Sequence, residues 1–178
     1  MGENPKIISK DYLSLYILSY PVEVSNIDRL APAADYEVMP GDWTNKPVTI
    51  RVTATDPEPE DGYAPSGVQS ITMPDGTVVE GDTADFTVSV NGTYDFIITD
   101  NGGNTFTLRT EVSNLDYLAP EAEYSVTPDI WTNGPAAIHV TATDPEPEDG
   151  YAPSGVKSIT LPDGTVVDGD AADFTVSV

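Results

Sequence analysis

Apolar and polar residues alternate along most of this chain. In Val48-Thr49-Ile50-Arg51-Val52-Thr53-Ala54-Thr55 every second residue is apolar, the period of a strand with one face buried. The pattern predicts Val48, Ile50, Val52 and Ala54 facing inward, with Thr49, Arg51 and Thr53 facing water. Ala136, Ile138, Val140 and Ala142 keep the same rhythm further on. Ala84, Phe86, Val88 and Val90 predict a second inward row, and Asn91-Gly92 then supplies a tight turn because both residues tolerate positive φ. Tyr94, Phe96 and Ile98 begin another strand, Asp100-Asn101-Gly102-Gly103-Asn104 turns the chain, and Phe106, Leu108 and Val112 mark the strand after it. No segment holds helical spacing over several turns. Turn signals at intervals of about ten residues predict an all-β fold, a sandwich of about seven strands.

The pattern occurs twice. Glu23 to Val90 aligns without gaps on Glu111 to Val178, and about three quarters of the positions are identical. The stretch Asp56-Pro57-Glu58-Pro59-Glu60-Asp61-Gly62-Tyr63-Ala64-Pro65-Ser66-Gly67-Val68 returns unchanged from Asp144 to Val156, an offset of 88 residues (144 − 56). So long a period suits small domains in series rather than a solenoid. The expected organisation is a complete domain over 27–115 and a second domain over 116–178. The second lacks counterparts of Asn91 to Val112, its last two strands. Residues 1–26 read as a strand segment, because Leu18, Tyr20, Val22 and Val24 fall at the positions of Phe106, Leu108, Thr110 and Val112. That segment is expected to be the end of another sandwich or a donor strand. A cut fragment of a longer array and head-to-tail strand donation between chains both fit, the latter a heterologous contact that builds an open filament.

Several pieces of this pattern are familiar as a set. They are Val52-Thr53-Ala54-Thr55-Asp56, Ser66-Gly67-Val68, Ser70-Ile71-Thr72, Pro74-Asp75-Gly76-Thr77, Asn91-Gly92-Thr93-Tyr94, Thr99-Asp100-Asn101-Gly102-Gly103-Asn104 and the linker Ser25-Asn26-Ile27-Asp28. Together they resemble the bacterial immunoglobulin-like repeats that occur in tandem in large cell-surface and adhesin proteins. The chain departs from that pattern in the long, acidic, Pro-rich insert between Thr55-Asp56 and Ser66-Gly67-Val68. The resemblance implies tandem immunoglobulin-like β-sandwiches at an extracellular, bacterial surface location, as stalk, adhesin segment or filament subunit. It implies neighbouring copies as partners and no reaction.

Charge narrows the partners further. Seven basic residues stand against 30 acidic ones, a net charge of −23. Nucleic acid and anionic membrane surfaces are repelled and cations attracted. No apolar run approaches the length of a membrane span. Cys is absent, so no disulfide holds the fold. The opening Met1-Gly2-Glu3-Asn4-Pro5-Lys6 lacks the features of a secretory signal.

The acidic insert is the main candidate for chemistry. Asp56, Glu58, Glu60 and Asp61 lie within six residues and repel one another unless a cation neutralises them. Hard carboxylate oxygens favour Ca²⁺, which takes six to eight such ligands. The spacing is not that of an EF-hand. In an immunoglobulin-like sandwich the loop after the second strand lies beside the last hairpin and the incoming linker. That arrangement would bring Asp56 near Asp100, Asn101, Asn26 and Asp28. The second-copy set is Asn114, Asp116, Asp144, Glu146, Glu148 and Asp149. The expectation is calcium at the domain junction, against the plainer reading of a solvated acidic loop.

Trp43, Trp131, Tyr63 and Tyr151 are candidates for contact with a surface glycan or protein receptor, although packing explains a loop aromatic equally well. His139 occupies the outward position of Arg51. With one His and no Cys, the common nucleophile–base arrangements cannot be built in both copies. The expected protein is not an enzyme. Asn91-Gly92-Thr93 matches a glycosylation acceptor, but a tight turn accounts for it fully.

Overall fold

The computed structural model describes residues 24–60 and 64–177. Leu18, Tyr20 and Val22 of the expected leading strand segment, and Asp61 and Tyr63 of the acidic loop, lie outside them. Every regular element among the described residues is a strand. In the first copy these are β1 (Ala33–Met39), β2 (Val48–Thr55), β3 (Val68–Thr72), β4 (Val78–Glu80), β5 (Thr83–Val88), β6 (Gly92–Asp100) and β7 (Thr105–Val112). They form two antiparallel sheets, in the orders β1-β2-β5 and β4-β3-β6-β7.

The two sheets close over one core. Val48, Ile50, Val52 and Ala54 of β2 and Ala84 and Val88 of β5 meet Ile71, Phe96, Ile98, Leu108 and Val112 of the other sheet. The strict alternation of β2 is the cause, since a period of two puts every apolar residue on one face. Phe86 stacks edge-on against Phe96 and Tyr94, at centroid distances of 6.0 and 6.2 Å. Thr110 also faces inward, and its hydroxyl donates to the Tyr94 carbonyl at 3.0 Å, which removes the cost of burying it.

One inward assignment fails: Val90 is exposed because β5 ends at Val88. Phe106, near the start of β7, is exposed although it pairs with buried Ile98. The outer faces carry cross-strand ion pairs. Arg51 bonds Asp85 and Arg109 bonds Asp95, each at 2.8 Å and each between directly opposed residues. At the equivalent place in the second copy His139 Nδ1 lies 2.7 Å from an Asp173 carboxylate oxygen.

The second copy comprises β8 (Glu121–Thr127), β9 (Ala136–Thr143), β10 (Ser158–Thr160), β11 (Val166–Asp168) and β12 (Ala171–Val176). Its first sheet, β12-β9-β8, repeats β5-β2-β1. The register is the same, residue for residue, from Ala171↔Thr141 to Val176↔Ala136. Among the described residues, the rest of this copy's strand structure is the β10–β11 hairpin. Ile138 and Val140 are therefore half-buried, whereas Ile50 and Val52 are 0% exposed. The shared alternation gives the same strand, and the facing sheet determines whether that strand is buried. No helix among the described residues is long and apolar enough to cross a membrane.

Candidate functional site

Three aspartates converge at the end of the first copy where the chain arrives. Asp28 precedes β1, Asp56 follows β2 immediately, and Asp100 is the last residue of β6. Pairing of β6 with β3 brings the turn after β6 beside the segment that returns from β2. One carboxylate oxygen of each aspartate lies within 4.8 Å of the other two. Asp100 is fully buried.

Neutral donors position each carboxylate. Ser66 links two of them: its N–H donates to Asp28 at 2.9 Å and its hydroxyl to Asp56 at 3.2 Å. Gly67 N–H donates to Asp56 at 2.6 Å, and Leu30 N–H to Asp28 at 3.0 Å. Asp100 accepts from the backbone and the side-chain amide of Asn104 at 2.8 and 2.9 Å. Asp56 Oδ1 is buried with no protein partner. The chain runs so close here that a Cβ on Gly102 would lie 3.2 Å from Asp28 Cβ and 3.3 Å from Asp100 Oδ1, so a side chain there would crowd the cluster.

The second copy reproduces two thirds of this arrangement. Ser154 N–H donates to Asp116 at 2.9 Å, its hydroxyl to Asp144 at 3.2 Å, and Gly155 N–H to Asp144 at 2.6 Å. Asp144 Oδ1 is again buried without a partner. The third aspartate would belong to a counterpart of β6. The Ser66 N–H, then its hydroxyl, hold the Asp28 carboxyl below its ordinary value. The Ser154 hydroxyl and N–H do the same for Asp116. Both linker carboxylates therefore stay ionised well into the acid range.

The glutamates do not join these clusters. Glu58 and Glu60 are exposed and line a surface cleft with Val24, Ile27 and Leu30. Glu146 and Glu148 are exposed as well. The proline-rich backbone carries them outward past the aspartate that opens the loop, so of Asp56, Glu58 and Glu60 only the first reaches the cluster. Asn101 adjoins the site, but its side-chain amide donates to the Ser66 and Gly67 carbonyls at 3.0 Å each. Asp149 is used elsewhere, as described next.

The sequence reading missed the residue that ties the copies together. Asn91 is buried, and its side chain holds both polar groups of Leu115 in the linker. Its amide donates to the Leu115 carbonyl at 2.7 Å, and its carbonyl accepts from Leu115 N–H at 3.0 Å. The same amide reaches Asp149 of the second copy's acidic loop at 3.1 Å. Asn91 is thus a linker clamp as well as a turn residue, and it has no free amide for a glycan. On the other side of the linker, Thr44 exchanges backbone bonds of 3.0 Å with Asn114 and Asp116, and the Asn114 amide caps the carbonyls of Pro40 and Asp42. Leu115 is 2% exposed in this joint, whereas its counterpart Ile27 is 54% exposed. Trp43 lies beside the joint rather than under the sheets, and its counterpart Trp131 is fully exposed. An Asn before Gly reads as a turn in sequence. Its second role depends on the linker passing within reach, which only the folded pair creates.

No protein family, curated protein or solved structure matches the chain.

Proposed function

We propose that the chain is a non-enzymatic structural or adhesive segment of a bacterial cell-surface protein or filament. In this reading it is built of tandem immunoglobulin-like β-sandwiches, and Ca²⁺ at the leading end of each unit stiffens the string. One observation carries the proposal. The same aspartate–serine arrangement recurs in both copies beside the linker, and each time one buried carboxylate oxygen lacks a partner. Three carboxylates gathered without a facing cation repel one another. A hard divalent ion would relieve that repulsion and occupy Asp56 Oδ1. Asp28, Asp56 and Asp100 would supply the anionic ligands, with carbonyl or water oxygens completing the shell.

A stiff joint is useful to a protein that must project a surface. The contacts around Leu115 immobilise the linker from both sides, and a cation at Asp28 or Asp116 would fix the residue next to it. The half-covered face of β9 and β12, with Ile138, Val140 and Phe174, is where strands from a neighbouring chain would add in head-to-tail assembly.

Calorimetric titration of chelator-treated protein with CaCl₂ tests the metal. Saturable heat and a raised melting temperature are expected, both lost in Asp100→Asn. Absence of heat, with a melting curve indifferent to chelator, would remove calcium from the reading and leave the tandem architecture standing.

A further inference from the structure

The joint forms a cleft with its own chemistry. It has a volume of about 820 Å³ and is lined by Trp43, Asn45 and Lys46 of the first copy and Tyr117, Ser154 and Lys157 of the second. Neither copy contains it alone. Trp43 and Tyr117 are 44% and 53% exposed, so both rings offer apolar surface to an incoming molecule.

The two lysines stand out in a chain of net charge −23. Of the arginines on the sheet faces, Arg51 and Arg109 are bound to Asp85 and Asp95. Neither Lys46 nor Lys157 makes an ion pair among the described residues. The acidic side chain that lines the cleft, Asp116, already accepts from Ser154 N–H and Leu118 N–H. The cleft thus collects two uncommitted ammonium groups. At physiological salt, charges more than about 8 Å away are largely screened. The local pair therefore outweighs the distant acidic surface for a bound ligand.

The repeat shows what is particular to this joint. Trp43, Asn45 and Ser154 have counterparts in Trp131, Asn133 and Ser66, whereas Lys46 is matched by Gly134, Lys157 by Gln69 and Tyr117 by Arg29. The equivalent positions elsewhere in the chain therefore do not place two ammonium groups together.

We propose that the cleft binds an acidic carbohydrate. The C–H face of a pyranose would lie against Trp43, the ring hydroxyls would bond Asn45 and Ser154, and a carboxylate or sulfate would sit between Lys46 and Lys157. Aromatic faces with a few converging polar groups are the usual makeup of such a site. The ammonium groups select for charge.

Trp131→Phe protein leaves Trp43 as the sole tryptophan, and its fluorescence reports the cleft. The probes are a galacturonate trimer, a sulfated uronate disaccharide and a neutral glucose trimer. A saturable change with either acidic probe, at least tenfold weaker with the neutral one, is expected, and the stronger acidic probe identifies the anion. Adding Lys46→Gln and Lys157→Gln should weaken binding at least tenfold with the melting temperature unchanged. Absence of saturation, equal response to the neutral sugar, or full binding in the double-lysine variant would each overturn the proposal. None of these outcomes bears on calcium.

Discussion

Ile50→Ala is expected to destabilise the first copy by about 2–5 kcal/mol, and Ile138→Ala to cost the second less than half as much. The two residues are the same amino acid at the same place in the same strand. They pair with Phe86 and Phe174 at equivalent positions in the register. Only their surroundings differ: Ile50 is 0% exposed and meets a four-stranded sheet, whereas Ile138 meets a hairpin and water. Removing Ile50 opens a cavity in a close-packed interior, with lost transfer energy and lost contacts adding together. Removing Ile138 deletes groups that were partly solvated already. Urea titrations followed by amide NMR read the two copies separately, through the backbone signals of β2 for the first and β9 for the second. Equal losses at the two positions would mean that the second copy's core is covered.

Asn91→Ala is expected to loosen the joint while leaving both sheets intact. The linker at Leu115 is buried, so losing the side chain strands its N–H and carbonyl at about 1–3 kcal/mol for each group orphaned. The bond to Asp149 disappears with it. Small-angle scattering should show a broader distribution of end-to-end distances, and amide exchange at Leu115 should rise by more than tenfold. Far-ultraviolet dichroism should not change. Asn91→Asp separates the contributions further. It keeps the acceptor for Leu115 N–H, loses the donor to the Leu115 carbonyl, and sets a carboxylate against Asp149. An unaltered scattering curve for both variants would show that the Thr44 and Asn114 bonds hold the linker alone.

The strand pattern was legible because β structure with one buried face writes itself as a period of two. β2 and β9 followed from their own residues. Their burial did not, since it depends on which strands stand opposite. Val90 shows the limit of the pattern at a strand end, where the alternation continues but the sheet does not.

The cluster of Asp28, Asp56 and Asp100 was approached through sandwich topology, which places the three segments at one end. That topology could not say that Glu58 and Glu60 would turn away, because the backbone path through a proline-rich loop is not set by charge. Asn91 was missed for a different reason. Its tight-turn role is local and obvious, and nothing in the neighbouring sequence signals that the linker passes beside it. The cleft with Lys46 and Lys157 was invisible one copy at a time. Comparison of the two copies could have exposed it, since both lysines fall where the copies disagree.

The clamp is also a site of chemical ageing. An asparagine followed by glycine loses ammonia when the next backbone nitrogen attacks its side-chain carbonyl, and water then leaves an aspartate or its isomer. In the closed joint both ends of the Asn91 amide are engaged by Leu115, which keeps the group from rotating into line. A molecule stretched or unfolded at this point loses that protection. Each such episode risks a permanent negative charge facing Asp149, and peptide mapping would find it enriched in chains held open. The joint would then keep a chemical memory of having been opened.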